Sequence, residues 1–382
     1  MPGIFSISTA QDIRFGRGCA KQAAEDIATL GKNIFLVHGA NPARAVWLVD
    51  ALEREGIRVG QFSCASEPEI SLIENGVLVA REFEADVIVS LGGGSVIDAG
   101  KAIAALVPAD KPILDYLEVV GKGLALEQPP LPFVAIPTTA GTGAEVTRNA
   151  VIGVPDHRRK VSLRDVRMLP NLAIIDPALT DNTSRSVTLA SGLDAVTQVI
   201  ESYVSCKANR FSDALCRDAI PLGLLALVRL MQGEDEKARD DLAWVSHCGG
   251  LALANSGLGA VHGFAGVIGG RAAAPHGVIC GILLPHVLKS NFSVPELPTQ
   301  IRERFHKIQH WIADALGVES EISFDELAAW SRRCGLPSLS DVGVSSEDFD
   351  EIAIASLSSS SMKGNPVYLQ ESKLIEILRT AS

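Results

Sequence analysis

Asp86–Lys101, DVIVSLGGGSVIDAGK, decides how the rest of the chain is read. Asp86–Leu91 is a short apolar run of strand length without alternation, which predicts a strand buried on both faces. Three glycines end it, and Val96–Leu106 resumes with helical spacing. Glycines let the backbone turn sharply and bring its N–H groups close to an anion, while a following helix N-terminus adds favourable partial charge. Strand, glycine turn and helix in this order predict a phosphate cradle at Gly92, Gly93 and Gly94. Ser95 and Asp98 are spaced S-x-x-D, so Ser95 is expected to cap the helix and Asp98 to answer from its first turn. Taken alone, the triplet also fits a structural turn, and the loop is neither G-x-G-x-x-G nor G-x-x-x-x-G-K-[ST].

Working outward, the first half alternates strand and helix signals. Asn33–His38 is an apolar run ending at Gly39, followed by a helical pattern over Ala43–Glu55. Ile57–Phe62 is a weaker strand signal before a helix near Ile70–Glu84, and residues 132–137 and 172–176 supply two more strands. Repeated β-α units predict a mostly parallel sheet with right-handed crossovers. A second loop, Pro137–Thr147 (PTTAGTGAEVT), leaves the carboxyl end of a strand with hydroxyls and bare backbone suited to ribose and phosphate. Beyond about Ser184 the pattern changes to long helical stretches: Val187–Val204, Asp213–Met231, Asp235–Asn255, Val278–Lys289 and Gln300–Leu316. The expected organisation is an α/β dinucleotide-binding domain over 1–183 and an all-helical metal and substrate domain over 184–382.

Composition agrees. The chain has 382 residues, 47% hydrophobic and 21% charged, which is a globular balance rather than a disordered one. Its net charge of −11 argues against nucleic acid or anionic lipid as partner. No run reaches the ~18 apolar residues that would span a bilayer, and the start has no basic region followed by an apolar stretch, so a cytoplasmic location is expected. Seven scattered cysteines without a C-x-x-C pair read as mostly buried thiols in a reducing compartment. The run Gly233–Asp241 reads as a solvated helix start.

With both loops placed, the chain resembles the iron-containing, or group III, alcohol dehydrogenase family, whose fold is dehydroquinate synthase-like. The resemblance rests on GGGSVIDAGK at 92–101, PTTAGTGAEVT at 137–147, the strand end at Asp176-Pro177, SGLDAVTQVIESYVS at 191–205 and VHGFAGVIGGRAAAPHGVICGILLPHV at 261–287. It implies an N-terminal Rossmann-like domain, a C-terminal helical domain, a cleft where hydride passes between a nicotinamide and a small alcohol or aldehyde, and a homodimer. It also implies pyrophosphate contacts at Gly93, Gly94 and Ser95, further cofactor contacts at Thr138, Thr139, Thr142, Thr147 and Asn149, and a ribose contact at Lys160. Where relatives commonly have an Asp for the adenosine ribose, this chain has Gly39, with Asn41 and Arg44 close by. Loss of that carboxylate favours NADP(H), or dual use, over strict NAD(H); a tight turn at Gly39 with NAD(H) still bound is the alternative.

The resemblance further implies a divalent metal, iron or zinc, with ligand positions Asp194, Gln198, His262 and His276; Asp194, His262 and His276 are then the catalytic residues. Gln198 stands where relatives have His and offers a weaker, neutral oxygen. Gly266 stands where many relatives have a further histidine, which puts a histidine proton relay in question. His38, His157, His247, His286, His306 and His310 are expected to be structural or surface residues. Two alternatives stay open: a maleylacetate reductase-like enzyme, for which Arg271 would meet an acidic substrate, and a non-redox dehydroquinate synthase-like or weakened nucleotide-binding protein.

Overall fold

The computed structural model describes residues 4–272 and 274–382. They fall into two compact units: Ser8–Thr139 with Gly143–Thr180, and Asp181–Ser382 with Ala140–Thr142 and the described residues through Ile7.

The first unit is built on eight strands: β1 Asp12–Phe15, β2 Asn33–His38, β3 Arg58–Ser63, β4 Val87–Gly92, β5 Phe133–Pro137, β6 Asn149–Val154, β7 Arg159–Arg164 and β8 Leu172–Ile175. Six of them form a parallel sheet in the order β1-β8-β5-β4-β2-β3, and β6 and β7 form a separate antiparallel ribbon. Helices α1 Ala23–Ala28, α2 Val46–Arg54, α3 Ile70–Glu82, α4 Gly94–Leu106 and the short α5 Ile113–Tyr116 connect and cover it. Strand side chains alternate between faces. Phe35, Val37, Ile88 and Ala135 therefore join one core with residues of α3 and α4. Ile34, Leu36, Val87, Val89, Val134 and Ile136 join another with residues of α1 and α2.

All six residues of β4 are buried, as its unbroken apolar reading requires. β2 and β4 are neighbours, with His38 opposite Leu91. From β2 the chain moves outward to β3, whereas from β4 it moves the other way to β5. The order thus reverses between β2 and β4, and ligands of open α/β sheets bind outside the carboxyl ends of strands at such a point. Gly39 and the glycine turn at 92–94 are the residues that emerge there.

The second unit is helical: α6 Arg185–Val204, α7 Arg210–Gln232, α8 Glu236–Ser256, α9 Ala260–Ile268, α10 His276–Phe292, α11 Thr299–Leu316, α12 Ser323–Arg333, α13 Phe349–Leu357 and α14 Glu371–Ala381. Helix α6 packs against α7, α8 and α10 and buries every residue of Thr188–Val204 except Ala190 and Ser191, Asp194, Gln198 and Glu201 among the buried ones. Close approach of α10 needs Gly277, because a Cβ there would lie 2.3 Å from the Ala190 carbonyl oxygen. No single helix among the described residues is long and apolar enough to cross a membrane. The charged run at 233–241 does start α8, with Asp235 accepting from the Ala238 N–H at 2.9 Å. Arg239, though, is buried there, donating to Thr188 Oγ1 and Glu234, so the run is not a wholly solvated face.

Candidate functional site

The glycine turn enters α4 earlier than the sequence suggests. Gly93 is the N-cap, without a side-chain hydrogen bond, and Ser95 already lies inside the helix. The expected capping box is therefore absent. Asp98 instead accepts from the Val151 N–H of β6 at 3.1 Å, tying helix to ribbon. The physical consequence favours an anion, because no side chain of the N-cap competes for the first-turn N–H groups. Gly92 is sterically required, since a Cβ would fall 2.6 Å from Val96 Cβ; a Cβ on Gly93 would press on Thr139 Oγ1 at 3.2 Å. Thr138 is anchored by its N–H to the Gly92 carbonyl at 2.9 Å.

The second loop has an anchor the sequence reading did not single out. Lys101, fully buried on α4, donates from Nζ to the carbonyls of Ala144 (2.7 Å), Thr147 (2.9 Å) and Asn149 (3.0 Å) and to Thr147 Oγ1 (3.0 Å). Burial pulls its ammonium down to about 8, against the pull of Asp98 and Glu145 in the other direction. Thr147 is buried, with its hydroxyl engaged by Lys101 and Ala144, so it shapes the loop from inside. Asn149 likewise contributes a carbonyl to that anchor. Lys160, on β7, is paired with Glu67. Thr142 clusters with the helical unit instead of the sheet unit.

At the end of β2, Gly39 does not have a left-handed backbone, and a Cβ there would meet nothing nearer than Val96 Cγ2 at 3.9 Å. A conformational need for glycine is thus not the reason for the residue. Asn41 caps the short turn that follows by accepting from the Ala43 N–H at 3.1 Å, and Arg44 is exposed beside it.

In the helical unit, Asp194, His262 and His276 converge. Asp194 Oδ1 lies 3.3 Å from His262 Nε2 and 3.9 Å from His276 Nε2. It is buried and has no hydrogen-bond partner. A buried carboxylate oxygen without a partner is costly, whereas a cation would satisfy it. Glu201, two turns after Asp194 on α6, holds His262: its carboxylate accepts from His262 Nδ1 at 2.7 Å and from the Val261 N–H at 2.6 Å. With Nδ1–H so engaged, Nε2 is the nitrogen on the Asp194 side that is left for a cation once the ring is neutral. Gly259 makes room for the contact, since a Cβ would lie 2.8 Å from Glu201 Oε1.

Cys280, one turn along α10 from His276, completes a group of four donors within 4.8 Å of one another, all buried but the half-buried His276. Burial disfavours charge on both rings, yet Cys280 and Asp194 outweigh it: His262 is held well above its usual value and His276 at about 9. Burial would likewise raise the Asp194 carboxyl, but His276 and His262 hold it below the usual range. The negative groups around the rings therefore favour positive charge in the cluster, which a divalent cation would supply in place of the ring protons, and in that sense the residues fit such an ion.

Gln198 donates from Nε2 to the Gly141 carbonyl at 3.1 Å, leaving a buried Oε1 without a partner. Glu201, Cys280 and Lys101 are the residues that sequence reasoning passed over. A signal existed for two of them: Glu201 shares a helix face with Asp194 (i, i+7), and Cys280 one with His276 (i, i+4). Arg271 is occupied by acids of its own unit, with Nη1 2.9 Å from Glu351 Oε2 and 3.8 Å from Asp348 Oδ1. Among the other histidines, His38 contacts the Gly39 carbonyl, His306 contacts Gln309, and His310 pairs with Asp314.

Comparison with known proteins shows the family. The family model described as "Iron-containing alcohol dehydrogenase" matches residues 10–177, and that described as "Fe-containing alcohol dehydrogenase family, C-terminal" matches residues 188–382. The chain is 33% identical over 378 residues to Alcohol dehydrogenase 4 of Schizosaccharomyces pombe, covering 96% of this chain and 86% of that one. It is 34% identical to lactaldehyde reductase of Escherichia coli, covering 82% and 81%. Among solved structures, a 1,3-propanediol oxidoreductase superposes with a TM-score of 0.88 at 30% identity, covering 99% of this chain and 100% of the other.

Proposed function

Since the chain belongs to the iron-containing alcohol dehydrogenase family, and is thereby an oxidoreductase acting on CH–OH groups with a nicotinamide cofactor, we propose that it is an NADP(H)-preferring alcohol dehydrogenase and aldehyde reductase with a divalent ion held by Asp194, His262 and His276. The observation that carries the reading is the convergence of two imidazole nitrogens on a buried carboxylate oxygen that has no other partner. When bound, the two groups supply the chemistry: the nicotinamide gives a hydride to carbon, and the ion, iron or zinc, is the Lewis acid that polarises the carbonyl.

The chain's own residues do the rest. Gly92–Ser95 present the unobstructed start of α4 to a diphosphate, and Lys101 fixes the loop through Asn149 that meets the remainder of the cofactor. Thr138, Thr139 and Thr142 add hydroxyls to that loop, and Lys160 is placed on the neighbouring ribbon. Gly39 leaves the space a 2′-phosphate needs, with Asn41 and Arg44 following it. Asp194 supplies the negative charge that retains the cation, and Glu201 holds His262 in the required tautomer. Gly266 carries no proton, so the proton that completes the alcohol oxygen comes from solvent.

Arg271 is engaged by Glu351 and Asp348, which removes the cation that an acidic, maleylacetate-like substrate would need. A homodimer and a cytoplasmic location complete the proposal; seven unpaired thiols support the latter. The test is oxidation of reduced nicotinamides by a panel of small aldehydes, before and after metal removal. Turnover with NADPH that disappears with the metal and returns on reloading is expected. Tight cofactor binding without turnover on any aldehyde would defeat it.

A further inference from the structure

Cys280 does more than fill space beside the two histidines. Its Sγ lies 3.6 Å from His276 Nε2 and 3.8 Å from His262 Nε2, and the third neighbour, Asp194 Oδ1, is buried without a hydrogen-bond partner. In a tetrahedral site with metal–nitrogen bonds of about 2.0–2.1 Å and a metal–sulfur bond of about 2.3 Å, neighbouring donors stand ~3.3 to ~3.6 Å apart. The observed separations of 3.3, 3.6, 3.8 and 3.9 Å match four of the six edges of such a tetrahedron, slightly expanded, and the other two donor pairs lie within 4.8 Å.

Gln198 is the competing fourth donor, and two observations weigh against it. Its amide nitrogen is tied to the Gly141 carbonyl, which restrains the side chain. Its oxygen is also neutral and a weaker donor to a divalent ion than a thiolate.

We propose, building on the metal-dependent reading above, that the Cys280 thiolate is the fourth protein ligand in place of Gln198, giving an Asp–His–His–Cys site that prefers zinc to iron. The thiol proton passes to solvent as the ion binds. Thiolate is a soft donor that suits zinc, and imidazole suits either metal. His276 forms the accessible flank of the site, its side chain 31% exposed against 7% for His262 and 2% for Asp194, so a further position for substrate lies on its side.

The experiment strips the full-length protein with a chelator and reloads it with Co²⁺, reading bound cobalt per chain and the near-ultraviolet thiolate-to-cobalt charge-transfer band. One cobalt per chain is expected, with the band present in the wild type and in Gln198→Ala and absent in Cys280→Ser, whose cobalt dissociation constant rises at least tenfold. In parallel, cobalt should protect Cys280 from alkylation in the wild type, as mapped by peptide mass, which needs no folded variant. Stoichiometric cobalt without a charge-transfer band, and with Cys280 alkylated at an unchanged rate, overturns the thiolate ligand and leaves the proposed function standing. Absence of cobalt binding overturns both.

Discussion

Glu201 reaches His262 from two turns along α6 beyond Asp194, accepting its Nδ1–H at 2.7 Å. The same carboxylate accepts the Val261 N–H at 2.6 Å, so it caps α9 from another helix while it fixes the imidazole. Glu201→Gln keeps the volume and removes the charge, which weakens the ring's basicity and its orientation together. Outer partners of this kind are worth about 10- to 100-fold in metal affinity. The variant is expected to lose metal in that range by competition against a chelator, and to recover part of its activity in excess metal. Unchanged retention would show that Glu201 serves α9 alone.

Lys101 presents two opposing effects. Keeping its ammonium buried, at about 8 against 10.5, costs about 3 kcal/mol at neutral pH. Removing it in Lys101→Met relieves that cost but takes the donor from the Thr147 and Asn149 carbonyls and from Thr147 Oγ1, at about 1–3 kcal/mol each. The second effect is the larger, so the variant should be destabilised by a few kcal/mol in denaturant unfolding, with a raised KM for cofactor. The pH dependence has a definite sign. Between about 8 and 10.5 the unfolded lysine binds more protons than the folded one, so the wild type should gain stability relative to the variant as pH rises through that window.

Gly39 offers a clean test of cofactor preference. Because the backbone is not left-handed and a Cβ meets only Val96 Cγ2 at 3.9 Å, Gly39→Asp introduces a carboxylate without strain. Like charges in contact cost several kcal/mol. The KM for NADPH is expected to rise at least tenfold while that for NADH falls or holds. Equal effects on both cofactors would point to a disturbed strand end and not to the 2′-phosphate.

Legibility followed burial. β2, β4 and α4 could be read because their apolar runs are long and buried, and α6 to α8 because helical length separates them from strands. β1 could not: its four residues, DIRF, are partly or fully exposed, and only pairing with β8 makes them a strand. The β6–β7 ribbon was missed for a similar reason, since Arg158 turns it with a positive φ that no local signal announced. Asp194, His262 and His276 were placed by a likeness of motifs. Lys101, Glu201 and Cys280 were not, because their roles depend on partners brought together by tertiary packing: carbonyls 43 to 48 residues away, a ring 61 away and another 18 away.

Gly277 separates the positions of the ligands from their identities. It follows His276 immediately, and its Cα faces α6 so closely that a Cβ would lie 2.3 Å from the Ala190 carbonyl oxygen and 3.3 Å from Asp194 Cβ. The obstacle is backbone, which cannot rotate aside as a side chain would, so in Gly277→Ala the start of α10 must move away from α6. Overpacking of this kind costs about 1–3 kcal/mol, small enough for the helical unit to remain folded. The distances from Asp194 Oδ1 to the two imidazoles, 3.3 and 3.9 Å, depend on that approach, and His276 and Cys280 both travel with α10. Gly277→Ala should therefore lower metal content by at least tenfold in elemental analysis while every donor side chain is retained, and leave cofactor binding to the sheet unit within twofold. Full metal content would mean that the cluster tolerates displacement of α10, and that the close fit at Gly277 serves packing alone.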